Sequence, residues 1–253
     1  FVGEGLLSPT DLVLIVLAVS VAGGIKGLFG VGFPTAAITL CSLFLDPKLA
    51  VVLMSIPILV LNLVQVGFGG SPFHTLRKYW PILALAMPVG GVVGYLSAGV
   101  PKDVLVAILG ALVVCFALLN LGQWVPKIPD RYDRPAQVVT GTLSGLAAGL
   151  TLIWAPPLMA YLLGRDSGRK EWIGVIGLLL GIGTIPVVLG FMANGSLGGS
   201  TLLLSALISI PALVFQVGGE LIGRRIQPDR FRLYLLWMFL VLGLSLLGRA
   251  IFA

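Results

Sequence analysis

The chain has 253 residues, of which 58% are hydrophobic and only 10% are charged, and its formal net charge at pH 7 is +6. Because soluble domains carry charge on about a quarter of their residues, this composition excludes a water-soluble fold and indicates a protein embedded in lipid. Nucleic acid is not an expected partner, because the basic residues lie in short loops between apolar segments, where they orient membrane proteins.

Ten apolar segments follow one another along the chain. The longer ones approach the ~20 residues that cross hydrocarbon as a helix, and they lack the alternation of polar and apolar residues that marks transmembrane strands. The expected fold class is therefore all-α and integral to the membrane. In chain order the segments are 12–27, 34–45, 49–68, the span that Trp80 opens, 104–125, 138–150, 157–163, 172–192, 201–222 and 231–252.

Two of the ten segments, 34–45 and 157–163, are too short to cross a bilayer alone. Each directly follows a longer apolar segment after a few residues rich in glycine, proline or aromatic side chains. A proline such as Pro34 fits the first turn of a helix, where its missing N–H group has no partner to lose. We therefore predict two broken half-helices that begin inside the membrane.

The lysines and arginines predict the orientation of the ten segments. If every segment counts as a crossing, twelve of the sixteen basic residues fall in odd-numbered loops, and basic loops face the cytoplasm. The expected localisation is the inner (cytoplasmic) membrane, with both termini on the extracytoplasmic side. If the two short segments did not cross, this bias would vanish. The first segment lacks the basic start of a signal peptide, so we expect it to be a retained span.

The two halves of the chain resemble each other around the half-helices. Five segments precede the polar, proline-rich residues 124–137, so the second half enters the membrane from the opposite side and the repeat is inverted. We predict a first five-segment repeat at 1–123, a cytoplasmic linker at 124–137 and a second, inverted five-segment repeat at 138–253. The aligned pairs are Gly23 with Gly145, Gly27 with Gly149, Pro34 with Pro156, Gly90 with Gly219 and Gly94 with Gly223.

Broken helices at matching positions of two inverted halves indicate a transporter binding site near the middle of the bilayer. The start of a half-helix presents unpaired N–H groups and the positive end of the helix dipole, both of which attract an anion, and glycines let an oxyanion approach closely. The predicted substrate-binding residues are Lys26, Gly27, Gly30, Gly32, Pro34, Ser55, Asn62, Thr151, Trp154, Pro156 and Thr184.

Each of these residues also has a purely structural interpretation. The glycines allow helices to pack tightly in lipid, and each polar residue, including the nearby Gln65 and Ser144, can form a hydrogen bond between helices. Trp154 either caps the cavity or fills it.

Lys26 is the most informative charged residue, because it lies in an apolar segment directly before the first break. A charge in the membrane costs at least ~2.5 kcal/mol and usually faces a cavity or a partner, so Lys26 is expected to balance the charge of a small anion. The alternative is that its side chain extends to the cytoplasmic interface. Glu220 is the best-placed acid for coupling transport to protons, although Arg224 four residues later offers it an ordinary helix pairing.

The chain resembles the sulfite exporter TauE/SafE family. The resemblance rests on the glycine-rich residues 27–34, on residues 46–55, on Trp80 and on residues 217–236, and it covers nearly the whole chain. It implies a secondary transporter that works by alternating access on small sulfur oxyanions and organosulfonates, such as sulfite or sulfoacetate. The second copy of the glycine motif departs from the family pattern, since Leu152 and Trp154 stand opposite Gly30 and Gly32.

Other function classes fit the residues less well. An enzyme would need a nucleophile and base or a metal cluster in the bilayer, but His74 is the single histidine and it lies beside loop residues. Cys41 and Cys115 lack metal-ligand spacing, so neither a metal nor a cofactor is expected. The alternatives that remain are an anion channel and a carrier for a small carboxylate without sulfur. The sequence does not indicate an oligomeric state.

Overall fold

The computed structural model describes residues 7–67, 72–122, 127–165 and 169–223, together with single positions between 237 and 248. Within these residues the chain is helical and contains no strand, as its composition predicts. The helices are α1 (Pro9–Phe29), α2 (Phe33–Cys41), α3 (Pro47–Leu53), α4 (Ser55–Val66), α5 (Pro72–Leu96), α6 (Lys102–Gly122), α7 (Asp133–Thr151), α8 (Ala155–Gly164), α9 (Arg169–Ala193) and α10 (Gly199–Gly223).

Six candidate membrane spans are present in the described part of the chain. Each is helical, and each is long and apolar enough to cross a bilayer. The predicted tenth segment, 231–252, lies largely outside the described residues. The six spans are Pro9–Phe29, Pro47–Val66, Pro72–Gly99, Lys102–Leu119, Gly174–Ala193 and Gly199–Ile222.

Two short helices occupy the places of the predicted half-helices. α2 has 9 residues and α8 has 10. α7 precedes α8 and is not among the six candidate spans, because its first turns are polar. It begins at Asp133, so the end of the predicted linker 124–137 is already helical. Pro135 is compatible with this early start, since a proline in the first turn loses no hydrogen bond.

The third predicted segment, 49–68, is interrupted between α3 and α4. Pro57 has no N–H group, so it cannot donate to the carbonyl of Leu53 four residues earlier. The Ser205 hydroxyl of α10 donates to this carbonyl instead, at 2.7 Å, and accepts the N–H of Ile56 at 3.4 Å. A side chain from a neighbouring helix thus replaces the missing backbone bond, as is required where water is absent.

Glycines set how closely the helices approach each other. α1 packs along α10, and α7 packs along α5. A methyl group built on Gly23 or Gly27 of α1 would overlap backbone carbonyl oxygens of α10. Methyl groups built on Gly145 and Gly149 of α7 would lie 2.9 Å and 2.8 Å from carbonyl oxygens of α5. Both helix pairs therefore depend on contact between backbones, which is a common form of packing in lipid.

Adjacent glycines of α1 provide a matched test of this packing. Gly23→Ala should lower the thermal unfolding midpoint, because its methyl group meets the Ala212 backbone and overpacking costs about 1–3 kcal/mol. Gly24→Ala should leave the midpoint unchanged or raise it, because a methyl group there meets no atom within 4 Å and alanine favours a helix. Thermal unfolding of both variants in detergent checks this, and equal shifts would contradict it.

Candidate functional site

The first helix break is shaped by two glycines in the left-handed conformation. Gly30 has φ 73° and donates its N–H to the Lys26 carbonyl at 2.6 Å, which ends α1. Gly32 has φ 104° and precedes α2, which starts at Phe33 with Pro34 buried in its first turn. Residues with a side chain are disfavoured at positive φ. The two glycines therefore allow one helix to stop and the next to start within three residues.

The Lys26 side chain is buried beside this break. It is only 2% exposed, and its Nζ donates to Asn62 Oδ1 of α4 at 2.6 Å. Asn62 is 1% exposed, and its Nδ2 has no hydrogen-bond partner within the residues that the structure describes. In the same part of the chain Lys26 forms no ion pair with an acid. The ammonium group therefore points into the protein and not towards the membrane interface.

Gln65 attaches the break to α4. Its Nε2 donates to the Gly30 carbonyl at 2.8 Å, while its Oε1 has no partner among the described residues. Asn62 lies three residues earlier and hence on the same face of α4. α9 packs closely against α4 beside Gln65, because a methyl group added to Gly177 of α9 would lie only 3.1 Å from the Val66 backbone nitrogen. Two amide side chains of α4 thus contact the end of α1 and the break.

The start of α2 offers more backbone donors than the start of α8. The first N–H groups of a helix have no acceptor within that helix. In the first turn of α2 only Pro34 lacks an N–H group, so Phe33 and Thr35 both keep a donor. The first turn of α8 contains both Pro156 and Pro157. The first break is therefore the better place for an anion.

The second break has similar backbone geometry without glycine. Leu152 ends α7 with φ 57°, and it is the single residue other than glycine with positive φ in the described part of the chain. Its N–H donates to the Ala148 carbonyl at 2.8 Å. The left-handed conformation costs roughly 1–2 kcal/mol for a residue with a side chain. The Leu152 side chain is fully buried, so packing helps to offset this cost.

Trp154 fills the space beside the second break. It is 2% exposed, and its ring lies against Gly183 of α9, where an added methyl group would overlap the indole. The indole Nε1 has no hydrogen-bond partner among the described residues. Gly183 was not singled out as a site residue. The sequence signal for it is the close pair of glycines, Gly181 and Gly183, in the apolar part of α9.

Several predicted site residues use their polar atoms elsewhere. Three predicted residues use their hydroxyl groups to donate a hydrogen bond to a backbone carbonyl three or four residues earlier. These are Ser55 at 2.7 Å, Thr151 at 2.8 Å and Thr184 at 2.6 Å. Gly27 faces α10 beside Glu220, which is partly buried. The structure brings together at the first break Lys26, Gly30, Gly32, Pro34 and Asn62, and places Thr151, Trp154, Pro156 and Thr184 at or near the second.

The six candidate spans and the buried polar break define a multi-pass helical membrane protein. The family model described as sulfite exporter TauE/SafE matches residues 15–246, which is nearly the whole chain. The chain therefore belongs to the TauE/SafE family, a family of membrane transporters and not of enzymes. No curated protein and no solved structure matches it significantly.

A double-mutant cycle tests the contact between Lys26 and Asn62. Asn62→Leu should lower the thermal midpoint strongly, because it removes the acceptor to which the buried Lys26 ammonium donates. Removing the partner of a buried charge costs about 3–5 kcal/mol of stability. Adding Lys26→Met to this variant should restore most of the loss, since no charge then remains buried. Additive losses in the double variant would show that the two side chains do not interact.

Proposed function

We propose that this protein is a secondary transporter that moves a small sulfur oxyanion or organosulfonate, such as sulfite or sulfoacetate, across the cytoplasmic membrane by alternating access. The substrate binds at the first helix break, between Lys26, Asn62 and the start of α2. The observation that carries this proposal is the buried Lys26 ammonium, which has an amide and no acid as its partner within the described residues. The family description supports an anion that contains sulfur.

The electrostatics of the first break favour a negatively charged ligand. A charge inside a bilayer costs at least ~2.5 kcal/mol unless a partner or water stabilises it. Asn62 supplies one acceptor but no negative charge. A bound anion would complete the neutralisation, so the free energy of binding includes the relief of this cost. The positive end of the α2 dipole acts in the same direction.

The donors at the break suit a ligand with several oxygen atoms. A lysine ammonium has three N–H donors, of which one reaches Asn62. The others, the free Asn62 amide nitrogen and the N–H groups of Phe33 and Thr35 are available to different oxygens of one sulfite or sulfonate group. These donors are charged or belong to a helix start, and both kinds bind oxyanions strongly.

Two inverted five-segment repeats are the architecture that we propose for this transporter. Gly30 and Leu152 support it, because both end a helix in the left-handed conformation and both donate to the carbonyl four residues earlier. The packing of the helices supports it as well, since α1 lies on α10 as α7 lies on α5. The partners α5 and α10 are the fourth segments of their halves. In transporters built from inverted repeats, movement of one repeat against the other opens a fixed central site first to one side of the membrane and then to the other.

The burial of both breaks favours a carrier over a channel. Lys26 and Trp154 are each only 2% exposed. In a channel with a fixed open pathway, side chains at the binding site would contact water continuously. An enclosed site is expected of a transporter between its two open states.

Lys26→Met separates a ligand role from a packing role. Methionine keeps an unbranched, apolar side chain, so the thermal midpoint should be unchanged or higher, as often follows when a buried charge is removed. Saturable sulfite uptake into proteoliposomes should fall about tenfold or more, because a hydrogen bond to a charged group contributes about 1.5–3 kcal/mol. Sulfite should raise the thermal midpoint of the wild-type protein and should not raise that of Lys26→Met.

Lys48→Met is the matched control for this experiment. Lys48 lies at the start of α3, where its Nζ donates to the Ala98 carbonyl at 3.1 Å and not to a residue of the break. Uptake by this variant should equal that of the wild type. Equal losses in both variants would remove Lys26 from the site, and a panel of sulfite, sulfoacetate, taurine and simple carboxylates would then identify any other substrate.

Cysteine labelling tests the proposed orientation. In a background that carries Cys41→Ala and Cys115→Ala, Ser200→Cys should react with a membrane-impermeant maleimide added to intact cells, because the start of α10 is outside in the proposed topology. Arg131→Cys should react only after the cells are lysed. Both positions are exposed, so the reverse pattern would contradict the orientation and not merely reflect poor access.

A further inference from the structure

An apolar groove runs between the start of α7, α8 and the residues that precede α7. We name it the linker groove. Its volume is about 530 Å³, it is open on one side, and its lining is almost wholly apolar. Its lining includes Lys127, Tyr132, Pro135, Val139, Leu143 and Pro157.

The wall formed by the linker is held firmly in place. The Ile128 N–H donates to the Gly164 carbonyl at 2.8 Å, and the Ile128 carbonyl accepts from Arg165 at 2.9 Å. Arg165 also forms ion pairs with Asp130 at 2.9 Å and with Asp133 at 3.2 Å. The groove is thus built by contacts between the linker and the end of α8, so it does not require a ligand to form.

The charges at the linker end of the groove are unequally paired. Asp130 and Asp133 are both engaged by Arg165. Lys127 lies in the groove wall, and the Arg131 guanidinium lies 4.6 Å from the ring centre of Tyr132. Neither Lys127 nor Arg131 forms an ion pair with an acid of the described chain. This end of the groove therefore carries positive charge that is available to an external anion.

The apolar part of the groove is long enough to hold part of a lipid chain. It extends along α7 from Pro135 to Leu143, a rise of about 12 Å. Val139 and Leu143 are about half exposed there, so the groove leaves apolar surface uncovered within the described residues. A ligand that combines an anionic group with a long apolar chain matches both ends, and basic pockets between membrane helices on the cytoplasmic side bind anionic headgroups.

We propose that the linker groove binds one anionic phospholipid, whose acyl chain lies along Val139, Leu143 and Pro157 and whose phosphate contacts Lys127 and Arg131. This site is separate from the first helix break and involves none of its residues. Zwitterionic lipids have the same chain but no net charge, so the site distinguishes lipids by headgroup.

Titration with two lipids tests the proposal. Purified protein in detergent is titrated with short-chain phosphatidylglycerol and with phosphatidylcholine, and native mass spectrometry counts the bound lipids. Phosphatidylglycerol should bind with one high-affinity stoichiometric site that phosphatidylcholine lacks. Lys127→Gln should weaken this binding about fivefold, as expected from about 1 kcal/mol for one basic residue near the phosphate. Equal binding of the two lipids to the wild-type protein would overturn the proposal.

A second experiment fills the linker groove with a larger side chain and includes a matched control. Leu143→Trp should abolish the high-affinity site, because the larger side chain occupies the path of the acyl chain. Leu207→Trp places the same side chain on α10 at a position that is similarly exposed, so it should leave the site intact. Equal effects of the two substitutions would overturn the proposal, and Lys127→Gln keeps the test valid if either tryptophan variant fails to fold.

Discussion

The burial of the Lys26 ammonium constrains the structure around it. A charge in hydrocarbon requires a polar partner, and Asn62 of α4 provides one at 2.6 Å. This contact joins α4 to the end of α1. Gln65, one turn later, donates to the Gly30 carbonyl and joins α4 to the break as well. The charge of Lys26 is therefore stabilised at the point where α1 ends beside α4.

The same principle governs the backbone wherever a helix is interrupted. Lipid offers no water, so each carbonyl released by a break needs a donor from the protein. The Ser205 hydroxyl donates to the Leu53 carbonyl, for which Pro57 has no N–H group, and the Gln65 amide donates to the Gly30 carbonyl. Other buried polar side chains, among them Ser55, Thr151 and Gln216, also donate to backbone carbonyls. Asn62 differs in that its oxygen accepts from the Lys26 ammonium, while its amide nitrogen has no partner among the described residues and is a donor that a ligand can use.

Much of the helical architecture could be predicted from local sequence signals. The charge of Lys26 within an apolar run and the prolines after glycine-rich residues located the first break correctly. Contacts between distant residues had no such signal. Ser205 lies 149 residues from Ile56 and Asn62 lies 36 residues from Lys26. Neither the hydroxyl that compensates for Pro57 nor the direct hydrogen bond between Lys26 and Asn62 could therefore be predicted from neighbouring positions.

At the second break, residue type is a poor guide to backbone conformation, because tertiary packing overrides the local preference. Leucine disfavours positive φ, and the sequence around Leu152 therefore predicts a weaker second copy of the break. The backbone nevertheless adopts the left-handed conformation there, because the Leu152 side chain is fully buried. Similarly, Trp154 is accommodated by the missing side chain of Gly183 in another helix, which spacing along α7 and α8 does not indicate.

These two breaks differ in chemistry although their backbones are alike. The first contains a charge, two amides and two glycines, whereas the second contains Leu152, Trp154 and two adjacent prolines. A break that keeps its geometry at the energetic cost of a left-handed leucine has a role that does not depend on contact with an anion. We infer that the second break matters for how the helices move or pack, and that one break alone binds the substrate.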